Sequence, residues 1–212
     1  MHDYMVPPRD TSGHDLATVS WKTEYDVLST LADLGHDVQQ LGVKDELTGI
    51  RQAITEGSPH IAFNLLEAFH EVGSFDQNLV AYLELLRMPY TGCNPRGLLL
   101  SRDKALSKKL LAYHRIPVPD FAVCRLSRAV TRPKRMGFPL IVKSLTQDAS
   151  LGISQASVVH DDAKLVDRVK FIHQSLGTDA IIEQFVEGRE LYVGIMGNHR
   201  LQCFPVWELK FT

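Results

Sequence analysis

Two apolar runs, about forty residues apart, constrain this chain more than any other feature. Phe138-Pro139-Leu140-Ile141-Val142-Lys143 reads as a strand ending in a lysine. Ile181-Ile182-Glu183-Gln184-Phe185-Val186-Glu187-Gly188-Arg189-Glu190-Leu191 reads as a second strand that runs into a short acidic hinge and a Gly turn. A lysine at a strand end either snorkels to solvent or meets an anion. The loop after it contains Asp148-Ala149-Ser150-Leu151-Gly152-Ile153, whose Ser150 and Gly152 allow backbone N–H groups close to a phosphate. In the second run, Gln184 to Val186 offer a donor and an acceptor on one peptide edge for a purine, and Glu190 can accept from ribose hydroxyls. The competing interpretation is a solvent-facing hairpin with ordinary acidic residues. Taken together, the two runs imply a surface that binds ATP.

The bulk composition narrows the classes. A chain of 212 residues suffices for one large domain or two modest ones. The net charge of -2 excludes a general binder of nucleic acid or anionic membrane. Arg132, Lys134 and Arg135, broken by Pro133, read as a solvated loop. Cys93, Cys124 and Cys203 are far apart and show no metal-ligand spacing. An odd count of cysteines with no secretory signal at the N-terminus leads us to expect reduced thiols and a cytoplasmic location. No apolar run approaches the ~20 residues that span a bilayer.

Along the first hundred residues helix and strand signals alternate. Val27, Leu28, Leu31 and Leu34 recur at helical spacing before Gly35, and Leu47, Ile50, Ala53 and Ile54 mark a second helix. Leu79, Val80, Leu83 and Leu86 give a third, stopped before Pro89. Strand candidates lie at Val38–Leu41 and Ile61–Phe63, so the pattern predicts parallel βαβ units. A sheet of this type normally opens with a full apolar strand, and only a polar stub precedes Pro7-Pro8. Ser101 is the expected cap of a helix from Arg102 to Tyr113, and Ile116-Pro117-Val118-Pro119 forces an extended linker.

Beyond the linker the pattern becomes α+β with an antiparallel sheet. Strands are expected at Phe121–Cys124, Leu140–Lys143, Gln155–Val159, Ala180–Glu183, Glu190–Met196 and Leu201–Val206. One helix interrupts them, with Leu165, Val166, Val169, Ile172 and Leu176 on its apolar face and Gly177 after it. Gly197-Asn198 is a hairpin signal.

In this order, Val142-Lys143, the Ser-Leu-Gly-Ile loop, Glu183-Gln184-Phe185-Val186 and Gly188-Arg189-Glu190-Leu191 resemble the nucleotide site of the ATP-grasp superfamily. The likeness is greatest to the D-alanine–D-alanine ligase branch. Pro89-Tyr90-Thr91-Gly92, Asp103-Lys104 and Ile116-Pro117-Val118-Pro119 support it, so the resemblance runs from about Phe63 to Glu208. It implies four regions: a Rossmann-like, pre-ATP-grasp α/β domain over 1–100, a helix and linker over 101–119, the small nucleotide-binding subdomain over 120–186, and the start of the large subdomain over 187–212.

The resemblance also implies roles. Lys104 and Lys143 are similar to the family's two phosphate-contacting lysines, and Ser150 and Gly152 to the loop that closes over the phosphates. Glu183, Phe185 and Val186 resemble the adenine hinge, and Glu190 the ribose carboxylate. Asn64 to Glu71 resembles a segment of the acceptor-substrate site, with Glu67 and His70 as candidates for contacting substrate. His70-Glu71 and Gly73-Ser74-Phe75-Asp76 stand where the D-alanine ligases carry a His-Gly pair and then Gly-Glu-Asp-Gly, which leaves the substrate open. By the same likeness the reaction is a carboxylate–amine ligation through an acyl phosphate, with Mg²⁺ on the phosphate oxygens. The family's metal-binding acids and transition-state arginine lie downstream of the segment resembling Phe204–Leu209. No metal ligand is therefore expected within the chain, which is expected to be a piece of a longer protein. Small-molecule carboxylate and amine substrates, and a second copy of the chain, are the expected partners. A non-catalytic adenine-nucleotide-binding or scaffold protein is the alternative.

Overall fold

The computed structural model describes residues 1–148 and 152–210. The chain divides into two compact units, Met1–Ile116 with Leu145–Leu151, and Pro117–Ser144 with Gly152–Thr212.

The first unit holds helices α1 (Lys22–Asp33), α2 (Thr48–Gly57), α3 (Asp76–Leu85), α4 (Pro95–Arg102) and α5 (Lys104–Tyr113). The first three form where the apolar spacing puts them; α2 and α3 bury apolar residues of their stripes, whereas the buried residue of α1 is Glu24. Ile50 of α2 and Leu79 and Leu83 of α3 meet Val43, Leu66 and Met88 in one core cluster. Gly35 adopts φ +86° just past α1, a conformation that costs any residue with a Cβ.

Two expectations change here. The candidates Val38–Leu41 and Ile61–Phe63 do not become strands. Single parallel bridges join His2 to Val43 and Ala62 to Tyr90 instead. The Ala62 N–H donates to Pro89 O at 2.8 Å and its carbonyl accepts from Thr91 N–H at 3.0 Å. Pro59 and Pro89 lack the N–H that would extend a ladder, and Ile61 and Phe63 are exposed, so little burial drives a longer strand.

The second change is at Ser101, which lies inside α4 and donates to Leu98 O rather than capping a helix. The chain breaks at Asp103, whose carboxylate accepts from Leu106 N–H at 2.9 Å and caps α5. The helix before it, α4, was not expected. Asn94 caps it by accepting from Gly97 N–H, and Pro95 supplies its first turn.

The second unit is built on a four-stranded antiparallel sheet of order β1-β4-β2-β3, with β1 Phe121–Cys124, β2 Leu140–Ser144, β3 Val158–Val159 and β4 Ala180–Gln184. Helix α6 (Asp162–Leu176) covers one face. Its Leu165, Val169 and Ile172 pack with Leu140, Val142, Ala180 and Ile182. Asp161 caps it at Lys164 N–H, and Gly177 ends it at φ +63°. The strand expected over Gln155–Val159 shortens to two residues, because a 3₁₀ turn at Gln155–Ser157 takes its first half.

Past the hinge, the strand expected at Glu190–Met196 splits in two, the one expected at Leu201–Val206 keeps only Gln202–Cys203, and a further strand forms at Trp207–Leu209. β5 (Glu190–Tyr192) pairs with β8 (Trp207–Leu209), and β6 (Ile195–Met196) pairs with β7 (Gln202–Cys203) around the Gly197-Asn198 turn. No helix of the described residues is long and apolar enough to cross a membrane.

Candidate functional site

Strand register creates the first part of the candidate site. In the β2–β4 pair Lys143 lies opposite Ile181 and Ile141 lies opposite Glu183. Opposed residues share a face, so Lys143 and Glu183 are diagonal neighbours on one side of the sheet. That side is turned away from α6, because the alternate residues Leu140, Val142 and Ile182 fill the α6 core. The Lys143 ammonium donates to Glu183 Oε2 at 3.2 Å. Glu183 is only 4% exposed, whereas the Lys143 side chain keeps 27%. A buried carboxylate beside a partly open ammonium fixes the lysine tip and leaves it room for a second anion.

The hinge is backed by its own hydrogen bonds. Gln184 N–H donates to Asp120 O at 2.8 Å, its side-chain Nε2 to Pro139 O at 3.0 Å, and Phe185 N–H to the same carbonyl at 3.1 Å. Pro139 follows a cis peptide bond from Phe138. The Phe185 N–H is thus engaged within the hinge itself. The neighbouring Val186 is exposed and follows directly.

Glu190 opens β5 and is exposed, and its carboxylate accepts from the Tyr192 hydroxyl. That hydrogen bond raises the Tyr192 phenol above its ordinary value. Gly152 sits at φ +71°, and a Cβ there would stand 3.0 Å from Leu176 Cδ1. Its carbonyl accepts from Arg168, which also donates to Ser157 Oγ at 2.8 Å. The positive φ therefore favours a glycine here independently of any phosphate. Ser150 lies outside the described residues.

The first unit contributes separately. Lys104 is the first residue of α5, and its N–H donates to Leu145 O at 3.2 Å. Its ammonium donates to Gln147 O at 2.6 Å and lies 3.7 Å from Asp148 Oδ1. Glu67 is exposed, and its backbone carbonyl faces Arg102 at 3.5 Å. His70 and Glu71 form the tip of a tight turn closed by Phe69 and Val72, at φ +54° and +61°. His70 donates its N–H to Lys44 O at 2.9 Å. Left-handed backbone at two non-glycine residues is uncommon and puts the His70 ring at a loop tip.

Sequence reasoning missed Arg102. Its guanidinium pairs with buried Asp76 and reaches Asp148 Oδ2 at 3.2 Å. An arginine beside Asp103-Lys104 gives no signal of burial, since both carboxylates come from distant segments. Tyr90 is pushed up to about 12 by burial and by its 2.7 Å hydrogen bond to Glu84, so it stays protonated and cannot serve as a base. Among the described residues, no group of three or more His, Cys, Asp or Glu is gathered to hold a metal ion.

The family model of the D-ala D-ala ligase C-terminus matches residues 110–212. The uncharacterized protein y4sG of Sinorhizobium fredii is 32% identical over 192 residues, which cover 87% of this chain and 54% of that protein. The D-alanine–D-alanine ligase of Syntrophotalea carbinolica is 31% identical over 192 residues, 89% of this chain and 58% of that enzyme. The chain thus spans little more than half the length of these two relatives. In fold, it matches the crystal structure of the D-alanine–D-alanine ligase from Bacillus anthracis with a TM-score of 0.66 at 18% identity, over 92% of this chain and 69% of that one. The ATP complex of the Bacillus anthracis enzyme matches with a TM-score of 0.64 at 22% identity, over 92% of this chain and 64% of that one.

Proposed function

We propose that this chain is a D-alanine–D-alanine ligase-like member of the ATP-grasp superfamily and carries nucleotide-binding machinery of an ATP-dependent carboxylate–amine ligase, a reading supported by the family match and the relatives. The observation that carries this reading is the Lys143–Glu183 pair, an ammonium steadied by a buried carboxylate next to a hydrogen-bonded hinge. In the proposed site Val186 offers its backbone to adenine while Glu183 and Phe185 shape the pocket. Glu190 accepts from ribose, and Lys143, Lys104, Gly152 and Ser150 meet the phosphates. Glu67 and His70 are the proposed contacts for the acceptor.

In the proposed reaction a substrate carboxylate oxygen attacks the γ-phosphorus of ATP. The bond from that phosphorus to the ADP oxygen breaks and an acyl phosphate forms. An amine nitrogen then attacks the acyl carbon, the carbon–oxygen bond to phosphate breaks, and the nitrogen releases a proton. The products are an amide, ADP and phosphate. The lysines would neutralise charge that spreads over the transferring group, which is the main demand of phosphoryl transfer. Mg²⁺ on the phosphate oxygens belongs to the same proposal, and the described residues gather no group of three or more His, Cys, Asp or Glu for it. The Rossmann-like character of residues 1–100, the four regions bounded at 100, 119 and 186, a cytoplasmic setting and a homodimer belong to the same proposal.

Calorimetric titration with ATP tests the binding part. Lys143→Ala is expected to weaken ATP affinity about 10-fold or more, because a charge-assisted phosphate contact disappears. Unchanged affinity would remove Lys143 from the site. Release of ADP and phosphate that requires both a carboxylate and an amine, across a panel of amino acids, supports the ligase part. ATP binding without release from any pair would favour a nucleotide-binding protein instead.

A further inference from the structure

Arg102 and Lys104 lie two residues apart, at the end of α4 and the start of α5. Between the two helices Asp103 is extended, which lets both side chains turn to the segment 145–148. Arg102 is held firmly on one side. Its Nη2 donates to Asp76, whose side chain is only 7% exposed and which opens α3, while its own Nε is buried without a hydrogen-bond partner. On its other side Nη1 meets Asp148 Oδ2 at 3.2 Å, and the second oxygen of that carboxylate lies 3.7 Å from the Lys104 ammonium. One carboxylate therefore spreads its two oxygens over a guanidinium and an ammonium.

The two acids differ in exposure, and that difference decides their roles. Asp76 is buried and balances Arg102 permanently. The Asp148 side chain is 54% exposed, so its two contacts are screened by water and weak. Polyphosphate oxygens carry more charge and more acceptor positions than a carboxylate, and a guanidinium fork matches them well. Asp148 is thus the weaker of two anions that can sit on this pair of cations.

We infer that Arg102 is a phosphate-contacting cation alongside Lys104, and that Asp148 is an internal anion occupying their shared seat until a polyphosphate displaces it. The inference rests on the ATP reading only for the nature of the anion. It adds a binding residue and a competitor to the proposed site.

The test is calorimetric titration of the full chain at fixed ionic strength with tripolyphosphate, ATP and adenosine. Asp148→Asn removes the competing charge at an exposed position, so a thermal melt should be nearly unchanged. Its affinity for tripolyphosphate and for ATP should rise about 3- to 10-fold, since a local competing charge is lost, while any adenosine affinity stays the same. Arg102→Lys keeps a charge for Asp76 but loses the fork, and should weaken both polyphosphates. Affinity for tripolyphosphate that is unchanged or lower in Asp148→Asn overturns the inference, as does an absence of binding in every variant. If ATP binds normally but Asp148→Asn changes nothing, the inference falls while the ATP reading stands. If Asp148→Asn strengthens tripolyphosphate but ATP binds no better than tripolyphosphate, the seat stands and the adenine reading falls.

Discussion

Lys143 and Glu183 are 40 positions apart in sequence and act as one unit in the sheet. Because Glu183 is buried and Lys143 is partly open, removing the acid strands the ammonium beside a polar gap. Glu183→Gln is expected to lower stability by about 1–2 kcal/mol, less than a fully buried pair would lose. Denaturant unfolding followed by circular dichroism reads this out, and a change below a few tenths would mean the pair contributes nothing. The thiols give a second residue-scale prediction. Burial pushes the Cys124 thiol up, while Cys93 and Cys203 are exposed. Only the thiolate reacts, so at pH 8 Cys93 and Cys203 should be titrated rapidly by a disulfide reagent and Cys124 only after unfolding. Rapid reaction at Cys124 would contradict its packing against the α6 core. All three cysteines were readable as a type in the sequence, but their different environments were not.

At the scale of elements, the helices were most legible. α1, α2, α3 and α6 lie where apolar residues recur every three to four positions, and in α2, α3 and α6 burying that stripe requires a helix at that place. The break between α4 and α5 was misplaced, since Ser101 and Asp103 are both good capping residues and only one can sit at the chain reversal. Asp103→Ala should cost α5 about 1 kcal/mol, visible as a lower denaturation midpoint, whereas Ser101→Ala should have a smaller effect. Equal losses would return the cap to Ser101. The short runs of the first unit failed as strands for the opposite reason. Runs of three or four residues carry too little periodic information to separate a strand from a single bridge.

At the scale of the whole molecule, burial is uneven along the chain. Ile181, Ile182 and Val142 are fully buried, whereas Leu191, Ile195, Met196, Phe204 and Trp207 are exposed. Hydrogen exchange measured by mass spectrometry should therefore show peptides from 190–209 exchanging much faster than those from β2 and β4, because few buried contacts oppose local opening there. Equal protection would mean that the exposed apolar residues are covered in solution. The sequence by itself determined the order of the main strands and the helix from residue 120 to the hinge, the helical stripes, and the motif order that identifies the ATP-grasp likeness. These are local patterns, set by spacing along the chain. Only the tertiary structure decided that Glu183 faces Lys143, that the Phe185 N–H is spent on Pro139, and that Arg102 lies between Asp76 and Asp148. Each depends on strand register or on the packing of distant segments. A one-residue slip of β2 against β4 would turn Lys143 to the α6 face, and nothing in the local pattern of either strand states that register.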